Sequence, residues 1–360
     1  MKNFTIFLLI HSLVHMTAYA EGDAVVKNAK YVFLAGGSGE RLWPLSRKDR
    51  PKQLIPFLGN QSLLEQTIER IEPLAPVQKN KIVLTNSVQH AGVTSLVGNR
   101  IGSVMVEPAS RNTAPAILYA CTQFDVQEQD PVLVFLPSDH FIPDSPAFCK
   151  VIQKSIDYAQ NHDDIVLIGL MPTFPATGYG YIQTDVKPGI NHYRVLKFHE
   201  KPNLETAEQY IRRDDMFWNI GIFIARQSVL LNNFQEYAPE LFFGMQQCLL
   251  GQKAFETLPN ISIDYAVMEK SSHIVMMPAD FEWYDVGNIK TFLDIKARYG
   301  KEDDHVITYD GQGNSASTSK KVVACVGVSD LCIVETEDVI LVVAKDRVEQ
   351  VKKILEKIKG

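Results

Sequence analysis

This chain lacks paired cysteines, a surplus of positive charge and, past its first twenty positions, any apolar run of the roughly 18 residues that a membrane span needs. Its five cysteines, Cys121, Cys149, Cys248, Cys325 and Cys332, are scattered with no Cys-x-x-Cys pair and no histidine pattern beside them. That spacing implies neither a zinc site nor a disulfide framework, and the odd count fits a reducing compartment. A net charge of -6 gives no overall field for nucleic acid, so any bound phosphate must be held by a local cluster of Arg and Lys. There is no Gly-x-Ser-x-Gly elbow, and none of the nine histidines has a metalloprotease spacing. A covalent mechanism is unsupported.

What is present is a large apolar fraction, 46% of 360 residues, enough for a substantial core and about two domains. Tyr31–Ala35, Lys81–Thr85, Ser103–Val106, Val132–Leu136 and Ile165–Leu170 read as strands, several apolar throughout, as strands covered on both faces are. Ser62-Leu63-Leu64-Glu65 is a capping box opening a helix with apolar residues at Leu63, Leu64, Ile68 and Ile71, and Asn112 caps another that continues through Ala116, Ile117 and Ala120. The βαβ succession predicts an α/β fold with a mainly parallel, Rossmann-like sheet, helices on both faces and ligands at the carboxyl ends of the strands.

Past Gly300 the character changes. Lys301-Glu302-Asp303-Asp304 is a charge run, and Asp310 to Lys320 reads as a linker or exposed turn. Lys321–Val326, Leu331–Glu335 and Val339–Val343 read as short strands, followed by a closing helix from Arg347 to Lys359. The expected organisation is a leader over 1–29, a catalytic domain over 30–300 and a small β-rich domain over 301–360. Within the leader, Lys2, the apolar stretch Phe4 to Ile10 and Ala18-Tyr19-Ala20 look like a signal peptide, whereas His11, Ser12 and His15 interrupt its apolar part. A start placed upstream of the true one, with Met16 as the alternative, gives the same appearance.

The most informative stretch is Leu34-Ala35-Gly36-Gly37-Ser38-Gly39-Glu40-Arg41-Leu42-Trp43-Pro44-Leu45-Ser46, running on to Pro51-Lys52-Gln53. Three glycines after a buried strand leave backbone N–H groups free to face phosphates, and Arg41 and Lys52 add two cations. A dinucleotide loop would need glycine at Leu42, and a P-loop would need Gly-Lys where Arg41 and Leu42 stand. The stretch instead resembles the signature of the sugar-phosphate nucleotidyltransferases, in the form carried by mannose-1-phosphate guanylyltransferases, with Glu40 in place of the usual threonine.

Other segments follow in the same order. Pro137-Ser138-Asp139-His140 emerges at a strand's carboxyl end, where a lone Asp is ordinarily a turn former but where this whole motif resembles the family's metal site. Asp285, in Trp283-Tyr284-Asp285-Val286-Gly287-Asn288, is the best second carboxylate, although Tyr284, Asn288 and Ile289 depart from the usual residues. Glu107-Pro108-Ala109-Ser110-Arg111-Asn112-Thr113 resembles the guanylyltransferase nucleotide pocket. Glu107 can accept from guanine N1–H and N2–H₂, while Arg111 faces either phosphate or a salt bridge. Gly180, Glu200, Lys201, Asn219 and Asp264 lie in segments that match residues around the hexose and its phosphate, with Ile220 replacing a serine.

The resemblance spans about residues 30 to 290 and implies transfer of GMP from GTP to mannose 1-phosphate in the cytoplasm. It implies Mg²⁺ on Asp139 and Asp285, and Arg41 and Lys52 on the departing pyrophosphate. Leu34, Gly36, Gly37, Ser38, Gly39, Glu107, Arg111, Asn112 and Thr113 fall on the nucleotide, and Gly180, Glu200, Lys201, Asn219 and Asp264 on the sugar phosphate. No nucleic-acid or membrane partner is expected, and a homo-oligomer is left open. The family's bifunctional members continue into a cupin, before which this chain stops, so no mannose-6-phosphate isomerase activity is expected. Two readings stand beside this one: a nucleotidyltransferase for another base or hexose, and a catalytically silent sugar-nucleotide sensor.

Overall fold

The computed structural model describes residues 28–37, 39–124, 130–186, 191–300, 306–318 and 321–359. Most of the leader (residues 1–27), Ser38 and the Lys301–Asp304 charge run lie outside them. Nine strands form the main sheet: β1 (Ala29–Leu34), β2 (Lys81–Asn86), β3 (Ser103–Glu107), β4 (Val132–Pro137), β5 (Ile165–Leu170), β6 (Gly180–Thr184), β7 (Tyr193–His199), β8 (Met216–Arg226) and β9 (Ile274–Ala279). Their spatial order is β3-β2-β1-β4-β8-β5-β9-β7-β6. β3, β2, β1 and β4 are parallel, as are β5 and β9, while β8 and β7 run the other way. β6 also pairs with the first half of β8, Met216 to Asn219, so the far part of the sheet closes on itself.

Continuous apolar runs such as Val132-Leu133-Val134-Phe135-Leu136 fit because both faces are covered. Alternate residues go to opposite cores. Val134 and Leu136 pack on the side of Phe148, Ile152 and Ile156, from the helix Ser145–Asn161, while Leu133 and Phe135 pack with Leu118 and Phe234. The helix α1 (Leu63–Arg70) begins at the capping box read from sequence, with Glu65 N donating to Ser62 Oγ at 3.2 Å and Ser62 N to Glu65 Oε2 at 2.8 Å. Among the described residues no helix is long and apolar enough to cross a membrane.

The last segment is coiled. Val306–Tyr309 pairs in parallel with Val323–Val326, and Ser315–Ser317 with Cys332–Val334, each pair 17 residues apart, as successive turns of a β-helix are. Ser315–Ser317, expected as turn, is therefore a strand, and the closing helix starts as a 3₁₀ turn, Lys345–Gln350, before the α-helix Val351–Lys359. This unit is not a separate ball. Cys332, Val334, Val348 and Val351 share a core with Leu42, Ile55 and Phe57 of the signature region and with Phe292 and Leu293.

Candidate active site

The signature loop leaves β1 with its carbonyls held from behind. Gln53 Nε2 donates to Ala35 O at 3.0 Å and to Gly37 O at 3.3 Å, Asn86 Nδ2 donates to Gly36 O at 3.1 Å, and Gln89 Nε2 donates to Gly37 O at 3.0 Å. Gly36 and Gly37 so line a cavity of about 420 Å³. Gly39 has φ of 65°, and a Cβ there would lie 2.8 Å from Lys52 Cβ, so glycine permits both the turn and the passage of the lysine stem.

Two carboxylates meet in the cavity wall. Asp139 follows β4, and the next residue, His140, pairs with Asp285 across a two-residue antiparallel ribbon, His140–Phe141 against Tyr284–Asp285. Val286 N donates to Asp139 O at 3.3 Å and closes the arrangement. Lys52 Nζ reaches both acids, 2.5 Å from Asp139 Oδ2 and 3.9 Å from Asp285 Oδ1. Burial lowers the proton affinity of Lys52, but Asp139 and Asp285 outweigh it and hold its pKa above the ordinary lysine value. Burial likewise pushes Asp139 up, while Lys52 and His140 pull it down and prevail.

On one side lies the end of β3. Burial pushes Glu107 up to about 7, and the hydroxyl of Ser110, donating at 2.9 Å, offsets only part of this. Asn112 caps the helix Thr113–Cys121, accepting from Thr113 N at 2.8 Å. Thr113 Oγ1 accepts from Ile263 N at 3.0 Å, which ties this side to the next.

Elsewhere in the cavity wall, Gly180 opens β6 and leaves room for Glu200: a Cβ at Gly180 would lie 2.9 Å from Glu200 Oε2. Glu200 is ion-paired with Lys201, whose φ of 46° is unusual for a residue with a side chain. Asn219 Nδ2 reaches Asp264 Oδ1 at 3.5 Å. Asp264 begins a π-helical turn, Asp264–Met268, and burial, then the charge of Glu200, raise it to about 6.

Of the residues singled out from sequence, Leu34, Gly36, Gly37, Glu107, Asn112, Thr113, Asp139, Gly180, Glu200, Lys201, Asn219, Asp264 and Asp285 line this one cavity. Gly39, Arg41, Lys52 and Arg111 do not, and Ser38 lies outside the described residues. Lys52 is joined to the cavity through Asp139. Arg41 points to Glu349 at 3.3 Å, and Arg111 is held by the carbonyls of Leu258, at 3.1 Å, and Glu256. His140, Tyr179 and Trp283 line the cavity without having been singled out. Trp283 stands edge-on to His140 at 5.3 Å and to Tyr179 at 4.9 Å, an aromatic wall whose trace in the sequence is that His140 and Trp283 lie within motifs and Tyr179 precedes Gly180.

The family description Nucleotidyl transferase matches residues 30–302, and MannoseP isomerase/GMP-like beta-helix domain matches 304–358. The chain belongs to the nucleotidyl transferase family. It is 35% identical over 353 residues to mannose-1-phosphate guanylyltransferase ManC of Salmonella typhimurium, covering 91% of this chain and 73% of the relative. Xanthan biosynthesis protein XanB of Xanthomonas campestris is 36% identical over 350 residues, with the same coverage. Among solved structures, mannose-1-phosphate geranyltransferase from Thermus thermophilus superposes with a TM-score of 0.81 at 31% identity, over 92% of this chain and 100% of that one. Mannose-6-phosphate isomerase from Helicobacter pylori gives 0.61 at 26% identity, over 72% and 100%.

Nucleotidyl transferases of this kind generally need a divalent metal. Among the described residues no group of three or more His, Cys, Asp or Glu side chains is placed to hold one. A hard divalent ion that keeps most of its waters needs only one or two carboxylates. Asp139 and Asp285 fit it, because both converge on one point already marked by a cation, the Lys52 ammonium.

Proposed function

We propose that the chain transfers GMP from GTP to α-D-mannose 1-phosphate, giving GDP-mannose and pyrophosphate. The observation that carries this reading is a single cavity lined together by Glu107, by Glu200, Lys201, Asn219 and Asp264, and by Asp139 and Asp285. The curated relatives named for this activity support the choice of nucleotide and sugar.

Sugar phosphates are mostly dianionic at neutral pH, with a second pKa near ~6, so no general base is required. A phosphate oxygen of mannose 1-phosphate attacks the α-phosphorus of GTP in line. The bond to the bridging oxygen of the β-phosphate breaks, and pyrophosphate leaves with that electron pair. Mg²⁺, held by Asp139 and Asp285, would neutralise phosphate charge when bound. In this reading Lys201 orients the incoming phosphate, Lys52 steadies the departing one, and Glu107 accepts from guanine. Glu200, Asn219 and Asp264 provide hydrogen-bonding groups for sugar hydroxyls. We assign this chemistry to residues 30–300 and place it in the cytoplasm, where nucleoside triphosphates are. An amino terminus at Glu21 in the native protein, read by mass spectrometry, would overturn the compartment.

The test is pyrophosphate release over a grid of four nucleoside triphosphates and several hexose 1-phosphates. Fastest turnover is expected for GTP with mannose 1-phosphate, and equal turnover with ATP would remove the guanylyl assignment while leaving the fold intact.

A further inference from the structure

We propose that Lys52 is the resident counter-ion of the metal site: its ammonium and the metal exclude each other between Asp139 and Asp285, so that metal entry releases Lys52 toward the phosphates. The inference rests on the reading of those two aspartates as the metal pair and adds an order of events to it.

The geometry allows little else. Lys52 Nζ lies 2.5 Å from Asp139 Oδ2 and 3.9 Å from Asp285 Oδ1, on the point where the two acids converge. A magnesium ion would sit about 2.0–2.1 Å from a carboxylate oxygen, and an ammonium on the same oxygen would face a dication at little more than van der Waals range. Their repulsion at that range favours release of the lysine.

The lysine is built for such a move. Its base is fixed: Lys52 opens the 3₁₀ turn Lys52–Leu54, Ile55 N donates to Lys52 O at 3.4 Å, and the next residue, Gln53, is buried and hydrogen-bonded to the signature loop. Its stem runs against Gly39, where even one added carbon would lie 2.8 Å from Lys52 Cβ. Displacement therefore falls to the upper stem, a rotation about side-chain bonds that leaves the backbone in place. Because Gly39 belongs to the loop whose Gly36 and Gly37 line the cavity, the released ammonium stays beside the site of the phosphates. In the free protein the lysine keeps two acids from repelling each other. Metal binding must then displace it and is weak until a phosphate chain offers the lysine another anion, a coupling that works equally in both directions.

The test uses the full chain without substrate and Mn²⁺ alone as the probe, with free Mn²⁺ followed by electron paramagnetic resonance. Lys52→Met keeps the stem and removes the charge. It is expected to bind Mn²⁺ at least roughly tenfold more tightly than the wild type, since metal entry no longer has to break the Lys52–Asp139 ion pair. Lys52→Arg keeps a cation there and should bind as weakly as the wild type. Thermal melting gives a second reading: Lys52→Met should melt lower than the wild type without metal, and added Mn²⁺ should raise its Tm by more. Equal or weaker Mn²⁺ binding by a folded Lys52→Met protein overturns the proposal. Asp139→Asn separates the two claims, because unchanged Mn²⁺ binding in that variant removes the metal-site reading itself.

Discussion

Asp285 stands opposite His140 in a two-residue antiparallel ribbon, and since His140 follows Asp139, this one pairing sets side by side two carboxylates far apart in sequence. The ribbon also carries the backbone carbonyl of His140, which accepts from the buried Arg70 Nη2 at 3.2 Å. The acids are thus positioned by backbone, with their charge balanced by Lys52. Replacing either acid alters electrostatics without removing the scaffold.

Asp139→Asn and Asp285→Asn should each fold normally and lose roughly two orders of magnitude or more in turnover, the scale of removing one preorganised charge-stabilising group. The double variant should be little worse than the more severe single one, because two ligands of one ion act as a unit. Steady-state pyrophosphate release checks this. Fully additive losses would mean that the acids do not share an ion.

Glu107 makes nucleotide binding pH-dependent. In the free protein burial holds its pKa at about 7, above the ordinary carboxylate range, and guanine donors bind the ionised form. Binding therefore expels a proton at lower pH: the KM for GTP should fall as pH rises toward 7 and level off above it. Glu107→Gln should flatten this profile. The same shift bears on stability, since the folded state holds this proton more tightly than the unfolded one and loses stability as pH rises between the two pKa values. Glu107→Gln should accordingly melt higher than the wild type at pH 8, even though it binds GTP more weakly.

Gln53 is 1% exposed and shares its amide among Ala35 O, Gly37 O and Gln89 Oε1. Gln53→Leu should cost about 1–3 kcal/mol of stability in chemical denaturation, the range for leaving buried polar partners unsatisfied. It should also raise the KM for GTP, because the loop carbonyls lose their common tie. An unchanged denaturation midpoint would show that the loop does not depend on this amide.

The Arg41–Glu349 pair links the signature region to the β-helical unit at 3.3 Å, with side chains 61% and 57% exposed. At such exposure an ion pair contributes about 0–1 kcal/mol. Glu349→Ala should therefore leave the melting curve nearly unchanged, leaving Arg41 able to turn toward the phosphates at small cost. Arg41→Ala should still lower turnover. Equal turnover in wild type and Arg41→Ala would remove Arg41 from the reaction.

Strands with continuous apolar runs, the capping box at Ser62 and the Asn112 cap were legible because each depends on near neighbours in sequence. The ribbon at His140 and Asp285 was not, since two residues cannot show a period and only tertiary pairing makes them a strand. The π turn that presents Asp264 carries no local signature either. Arg41 and Arg111 have partners outside the cavity in the free protein. Their charge suggested phosphate, but long side chains go where distant segments offer acceptors, here Glu349 and the carbonyls of Glu256 and Leu258. The pairing of Ser315–Ser317 with Cys332–Val334 was hidden because a β-helical turn is read across 17 residues, while the segment itself looks like a polar loop.

Gly180→Ala offers the most selective test of the sugar side. The added carbon would lie 2.9 Å from Glu200 Oε2 and 3.0 Å from the edge of the Phe198 ring. The carboxylate is the tip of a flexible side chain and can give way, so the fold should survive with a modest drop in Tm, whereas Glu200 cannot stay where it is. Its displacement should disturb the ion pair with Lys201 and the charge that helps hold Asp264 protonated up to about 6. The KM for mannose 1-phosphate should therefore rise while the KM for GTP stays near the wild-type value, because the added carbon meets Glu200 and Phe198 and not Glu107 or the signature loop. Initial rates with each substrate varied in turn would separate the two. A rise in the KM for GTP alone would mean that Gly180 and Glu200 face the nucleotide and that the two sides of the cavity have been assigned in reverse.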